Sequence, residues 1–149
     1  MLEECEKIHF ELEVKEDGFP PISIESLNGM QISDGKFRVE NTPFFAEGIA
    51  IGDVIQANRR SGLKGFWFDS VIEESKNISI SIIFIEENLE ERVYQKMKEF
   101  GCFCEYGEFG ALRMLAVCVY ASVDYAQVSN FLDELESQER LSYAELCLT

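Results

Sequence analysis

Five cysteines and a single histidine are the residues of this chain best suited to nucleophilic or metal chemistry. On a strand, Cys102-x-Cys104 would put both thiols on one face, within reach of Cys118 on another strand. Cys5 and Cys147 stand apart from that group. A tetrahedral zinc site needs more ligands than the group offers, and His9 is distant in sequence, so no metal is expected. A Cys–His couple can form only in the fold, so spacing leaves it open. Yet no cysteine stands among Lys or Arg residues that would lower its pKa. The cysteines read as small buried hydrophobes of a reducing compartment, odd in number and without framework spacing.

Two other patterns invite chemistry and decline it. Gly48-Ile-Ala-Ile-Gly52 lacks the glycine spacing and the Lys-Ser/Thr of a phosphate loop, and a strand follows it where a helix is needed. Its glycines suit a turn and a close backbone crossing. Carboxylates are abundant: Glu86, Glu87, Glu90 and Glu91 gather at a helix N-terminus, where the dipole favours them. Asp133, Glu134, Glu136 and Glu139 lie around the solvent side of a second helix. Each cluster is either a solvated face or an acidic recognition edge. No catalytic residue and no cofactor is expected.

Charge is the strongest compositional fact. Twenty-eight acidic against 13 basic residues give a net charge of −15 over 149 residues. Binding nucleic acid or an anionic membrane requires Lys and Arg against phosphate, so both partners are disfavoured. An acidic surface instead steers basic proteins. A hydrophobic fraction of 46% suits a globular chain and excludes disorder. No apolar run approaches the length of about 20 that spans a bilayer. The acidic start, through Lys7, lacks the features of a secretory signal, and a soluble cytoplasmic protein is expected.

These residues must be positioned by short strands first and helices later. Lys7–Lys15 alternates, with Ile8, Phe10, Leu12 and Val14 on one face and His9 on the exposed other. Residues 16–21 stop it through Asp-Gly and two prolines. Pro21–Leu27 alternates again, Met30 and Ile32 extend the strand, and Asp34-Gly35 predicts a hairpin into 36–40, with Phe37 and Val39 inward. Asn41–Ile55 concentrates a proline, two glycines and paired phenylalanines, a tight buried crossing that closes the strand-rich lobe. Strands over 54–58 and 65–72 flank the one basic loop, 59–65. Trp67 projects opposite to Phe66 and Phe68, either in a second packing layer or as an interface anchor.

After Ser75-Lys-Asn77 the pattern changes. A strand over 78–85 precedes a helix with Asn88 as cap, Glu91 reaching back to it, and Leu89, Val93, Met97 and Phe100 as its stripe. Gly101 terminates that helix. A strand pair, 102–106 and 112–120, turns around Gly107–Gly110. A second helix follows, capped by Ser122 or Asp124, with Val128, Phe131, Leu132 and Leu135 inward. The tail, 141–146, reads as a short turn of helix. The fold class is α+β: residues 1–75 form a small curled antiparallel sheet or barrel, and 76–149 a ferredoxin-like β-α-β-β-α half, together one compact unit.

Several stretches carry a resemblance. Phe10-Glu-Leu-Glu13, Gly18-Phe-Pro-Pro21 with Ser23 and Glu25, Asn41–Val54, Ser79–Phe84 and Tyr143–Leu148 resemble an uncharacterised bacterial family catalogued as a domain of unknown function. The resemblance spans about Phe10 to Leu148. It implies a cytoplasmic bacterial protein of this size and architecture, and carries no reaction, cofactor or catalytic residue.

Small size, acidity and the lack of catalytic groups lead to an expected function: a non-enzymatic immunity protein against a bacterial toxin. A nuclease delivered by contact-dependent growth inhibition would present the basic cleft that an acidic inhibitor fits. Expected contacts are Glu86, Glu87, Glu90, Glu91, Asp133, Glu134 and Glu136, with Trp67 as anchor. The alternatives are a housekeeping module holding a peptide or small molecule in a cleft beside Phe44 and Phe45, and an enzyme using Cys102 or Cys104.

Overall fold

The computed structural model describes residues 5–149, so the acidic opening of the chain lies largely outside it. Five strands, β1 (Cys5–Glu11), β2 (Ile24–Ser33), β3 (Lys36–Val39), β4 (Val54–Asn58) and β5 (Phe66–Glu73), form a closed barrel. Neighbours are antiparallel except at the seam, where β1 and β5 pair in parallel through Ile8–Phe66 and His9–Trp67. The barrel interior holds Ile8, Phe10, Leu27, Phe37, Val39, Ile55 and Ala57. The Asp34-Gly35 hairpin and the inward Phe37 and Val39 are as the alternation predicts.

The second sheet contains β6 (Ile78–Phe84), β7 (Phe103–Phe109), β8 (Leu112–Val119) and β9 (Leu141–Cys147), in the order β7-β8-β6-β9. The helices α1 (Glu90–Phe100) and α2 (Tyr125–Ser137) cover one face. With all neighbours antiparallel this is a complete ferredoxin-like β-α-β-β-α-β unit, one strand more than expected. The tail is therefore a strand and not a turn of helix. Leu141 is buried and Tyr143 half-buried, while Ser142 and Ala144 between and beyond them are exposed, which is a strand's period. The segment pairs with β6 from Ser79 to Phe84.

Three boundaries also move. β1 ends at Glu11, because Lys15 N–H donates to Phe19 O and Gly18 N–H to Lys15 O in a turn that leaves Val14 exposed. The cap of α1 is Leu89 without a side-chain bond; Asn88 is left-handed (φ 65°), and Glu91 accepts from Gln95 Nε2 instead. The β7–β8 hairpin turns at Gly110-Ala111, and Gly107 stays within β7. Gly101 (φ 95°) ends α1 and Asp124 caps α2, as read from the sequence.

Candidate functional site

The two sheets are joined by residues 40–53, and the join depends on two buried carboxylates. Glu25 sits at an inward position of β2, opposite Phe10, and is 5% exposed. Its Oε2 accepts from Phe44 N–H (2.6 Å), and its Oε1 from Phe45 N–H (3.1 Å) and Ala46 N–H (2.8 Å). Asp53, 3% exposed, accepts from Ala50 N–H (3.0 Å) and Ser75 N–H (2.8 Å). Both satisfy backbone donors that a buried loop would otherwise strand. Composition and spacing mark neither acid for this role, because each is one Asp or Glu among many.

The far side of the loop is tied to the second sheet. Ser79 Oγ donates to Ile49 O (2.6 Å), Gly48 N–H to Leu146 O (2.8 Å), and Asn77 Nδ2 to Ile51 O (2.8 Å). Asn41 Nδ2 donates to Glu105 Oε1. Phe44 and Phe45 both pack edge-on against Phe109 of β7, at 5.2 and 4.9 Å between centroids. Gly107 makes room for this: a Cβ there would lie 2.6 Å from Phe44 Cζ. Asn41–Ile55 thus does not close the barrel, which the β1–β5 seam does; it links β3 to β4, packs Ala46 and Ile49 into the barrel core and fixes the sheet against it.

Between the sheet, this loop and the turn after β1 lies a cleft of about 580 Å³. Its floor is the helix-free face of the sheet, with Ser81, Ile83, Met114 and Leu146. Phe19, Phe44 and Phe45 form an apolar wall, and Glu11, Glu13, Lys15 and Glu47 stand around it. Ser81 is 5% exposed, and its Oγ has no hydrogen-bond partner among the described residues. The volume is that of a site for a small ligand or peptide.

The acidic residues singled out from sequence divide into bound and free. Glu86 accepts from Arg140 Nη2 (2.7 Å) and Nε (2.9 Å). Glu90 pairs with Arg113 (2.6 Å), whose guanidinium holds its carboxyl below the ordinary value. Asp133 accepts from the Tyr143 hydroxyl and Glu136 from Tyr143 N–H (3.0 Å), so both fasten α2 to β9. Burial, then the bond to Asp133, pushes the Tyr143 phenol up. Glu87 and Glu134 are exposed, with no side-chain partner among the described residues, and Glu91 meets only Gln95. These groups therefore do not form one continuous free face.

Trp67 is half-buried at the barrel seam. The Arg60 guanidinium lies 4.3 Å from its ring centroid and the His9 ring 5.0 Å away. Arg60 also pairs with Glu11. His9 is half-buried and hydrogen-bonded through Nδ1 to Ser26 Oγ (2.6 Å). Cys102 and Cys104 are buried in the core under the helices, whereas Cys118, paired with Phe103, is buried on the other face of the sheet, so the three do not share the face that the spacing predicts. Burial pushes the thiols of Cys102, Cys104 and Cys118 up to about 11, 12 and 12. Among the described residues no cluster of His, Cys, Asp and Glu suits a metal ion, and no helix is long and apolar enough to cross a membrane.

Comparison with known families gives a match over residues 25–143, to the family described as Domain of unknown function (DUF4265). No curated protein matches. Among solved structures the chain is similar to one described as "Novel crystal structure of a hypothetical protein from Neisseria gonorrhoeae". The identity is 21%, the alignment covers 99% of this chain and 96% of that one, and the TM-score is 0.77. At that identity the likeness concerns the fold.

Proposed function

We propose that this chain, which belongs to the family described as Domain of unknown function (DUF4265), is a non-enzymatic immunity protein that neutralises a basic bacterial toxin in the cytoplasm. A nuclease delivered by contact-dependent growth inhibition or a related system is the partner in this reading. The observation that carries it is the net charge of −15, with Glu87, Glu134 and Glu47 free of ion pairs among the described residues. Such a surface captures a basic protein by long-range steering. The protonated, buried thiols of Cys102, Cys104 and Cys118 weigh against a cysteine enzyme.

Within the list expected from sequence, Glu87, Glu91 and Glu134 are the first contacts under this reading. Glu86, Glu90, Asp133 and Glu136 already serve the fold, and a partner would share them with Arg140, Arg113 and Tyr143. The test is to purify the chain with the product of the neighbouring open reading frame and measure inhibition and salt dependence. Tight, salt-weakened binding with loss of toxin activity is expected. Neither binding nor inhibition sinks the reading. A second reading, a housekeeping module for a peptide or small molecule, is favoured by the cleft beside Phe44 and Phe45. A ligand-dependent rise in melting temperature with no protein partner recovered would support it.

A further inference from the structure

We infer that the cleft between barrel and sheet binds a short peptide segment of a protein partner, in which an apolar side chain is followed by Arg or Lys. The inference rests on the reading of the protein as a binder of a basic partner, and adds where that partner inserts and what it inserts.

Three features select this occupant. The floor is apolar at Ile83, Met114 and Leu146, so water there is readily displaced by an aliphatic or aromatic side chain. Ser81 interrupts that floor with a hydroxyl that is nine-tenths buried and unpartnered among the described residues. Buried polar atoms are rarely left without a partner. An alkyl chain filling the cleft would leave the Ser81 hydroxyl orphaned, whereas a peptide brings amide N–H and carbonyl groups along with its apolar side chain.

The third feature is charge. Glu47 is exposed and free of ion pairs among the described residues, while Glu13 meets Lys15 at 3.4 Å and Glu11 meets Arg60. With Glu11 and Glu13 each paired to a cation, the unpaired Glu47 leaves the site negative, which suits a cationic residue beside the apolar one. A guanidinium can bind a carboxylate in a bidentate fork, so Arg fits this site better than Lys.

The experiment is an NMR shift titration of the full chain with three blocked peptides: acetyl-Gly-Phe-Arg-amide, acetyl-Gly-Phe-Glu-amide and acetyl-Gly-Ser-Arg-amide. The Phe-Arg peptide is expected to saturate, with shifts centred on Ser81, Ile83, Met114 and Leu146. The other two are expected to bind at least about tenfold more weakly, the loss that follows from removing either the charge or the apolar contact. Ser81→Ala, which removes one hydroxyl and keeps the strand, should weaken the Phe-Arg peptide about fivefold, the share of one hydrogen bond. Absence of saturable shifts, shifts elsewhere, equal binding of the Phe-Glu or Ser-Arg peptide, or unchanged affinity in Ser81→Ala each overturns the inference. The assay contains no toxin, so its failure leaves capture by the acidic surface standing, and failure of toxin binding leaves the peptide result intact.

Discussion

Removing the Glu25 carboxylate should release the loop that joins the two sheets. Glu25→Ala strands three backbone donors: those of Phe45 and Ala46, which are buried, and that of Phe44, which is partly open to water. Leaving a buried donor unpaired costs about 1–3 kcal/mol, so the two buried ones together cost about 2–6 kcal/mol. Relief from desolvating a carboxylate offsets part of this, and a net loss of about 3–4 kcal/mol is expected. Glu25→Gln keeps the shape and one acceptor oxygen but turns an NH₂ toward a backbone N–H. It should lose less, about 2 kcal/mol. Urea unfolding measures both as falls in midpoint at unchanged slope. Amide exchange at Phe45 and Ala46 reads the same bonds directly. A loss below about 1 kcal/mol in Glu25→Ala, or unaltered protection of those amides, would refute the role given to this residue.

Gly107→Ala places a methyl 2.6 Å from Phe44 Cζ, and the displaced ring should cost about 1–3 kcal/mol by thermal or urea unfolding; a neutral substitution would show that the aromatic contact is slack. Glu90→Gln removes an ion pair whose carboxyl has a lowered folded pKa. The wild-type advantage is therefore present above the ordinary value of 4.5 and disappears as pH falls through the folded value. Because the pair is partly exposed, that advantage at neutral pH should be within about 1 kcal/mol, and a gap that widens in acid would contradict the assignment. A thiol reagent at pH 8 should label exposed Cys5 quickly, and Cys102, Cys104 and Cys118 only in denaturant. Their raised pKa values stabilise the fold below the ordinary thiol value of 9.0, and the benefit is lost as pH rises toward 11–12; fast native labelling would refute this.

Local alternation and helical spacing carried most of the architecture. Ile8 and Phe10, Phe37 and Val39, and the stripes Val93–Met97 and Val128–Leu132–Leu135 all lie where period alone puts them. Failures came where a distant contact overruled local preference. Gly107 reads as a turn residue, but its missing Cβ admits a ring from residue 44. Residues 141–146 contain enough Leu, Ala and Glu to suit a helix, yet β6 offers an open edge and takes them as a strand. Glu25 reads as the polar half of an alternating strand, whereas it points inward to donors that lie 19 to 21 residues away. The cleft beside Phe44 and Phe45 was legible as a place, but not its serine floor. Which carboxylates were free depended on Arg113, Arg140 and Tyr143 in three dimensions.

The position of β6 has a consequence for synthesis on the ribosome. The barrel strands are contiguous in sequence, so all five exist once residue 73 has emerged. β6 comes next, but both of its neighbours, β8 and β9, are made later. Until then Ile80 and Ile82, fully buried in the finished protein, have neither partner strands nor helices to cover them. The nascent chain at that point carries the full set of barrel strands followed by a naked apolar strand, the kind of segment that chaperones hold and neighbouring chains capture. Only when β9 leaves the exit tunnel can Leu146 accept its bond from Gly48 and draw the two halves together.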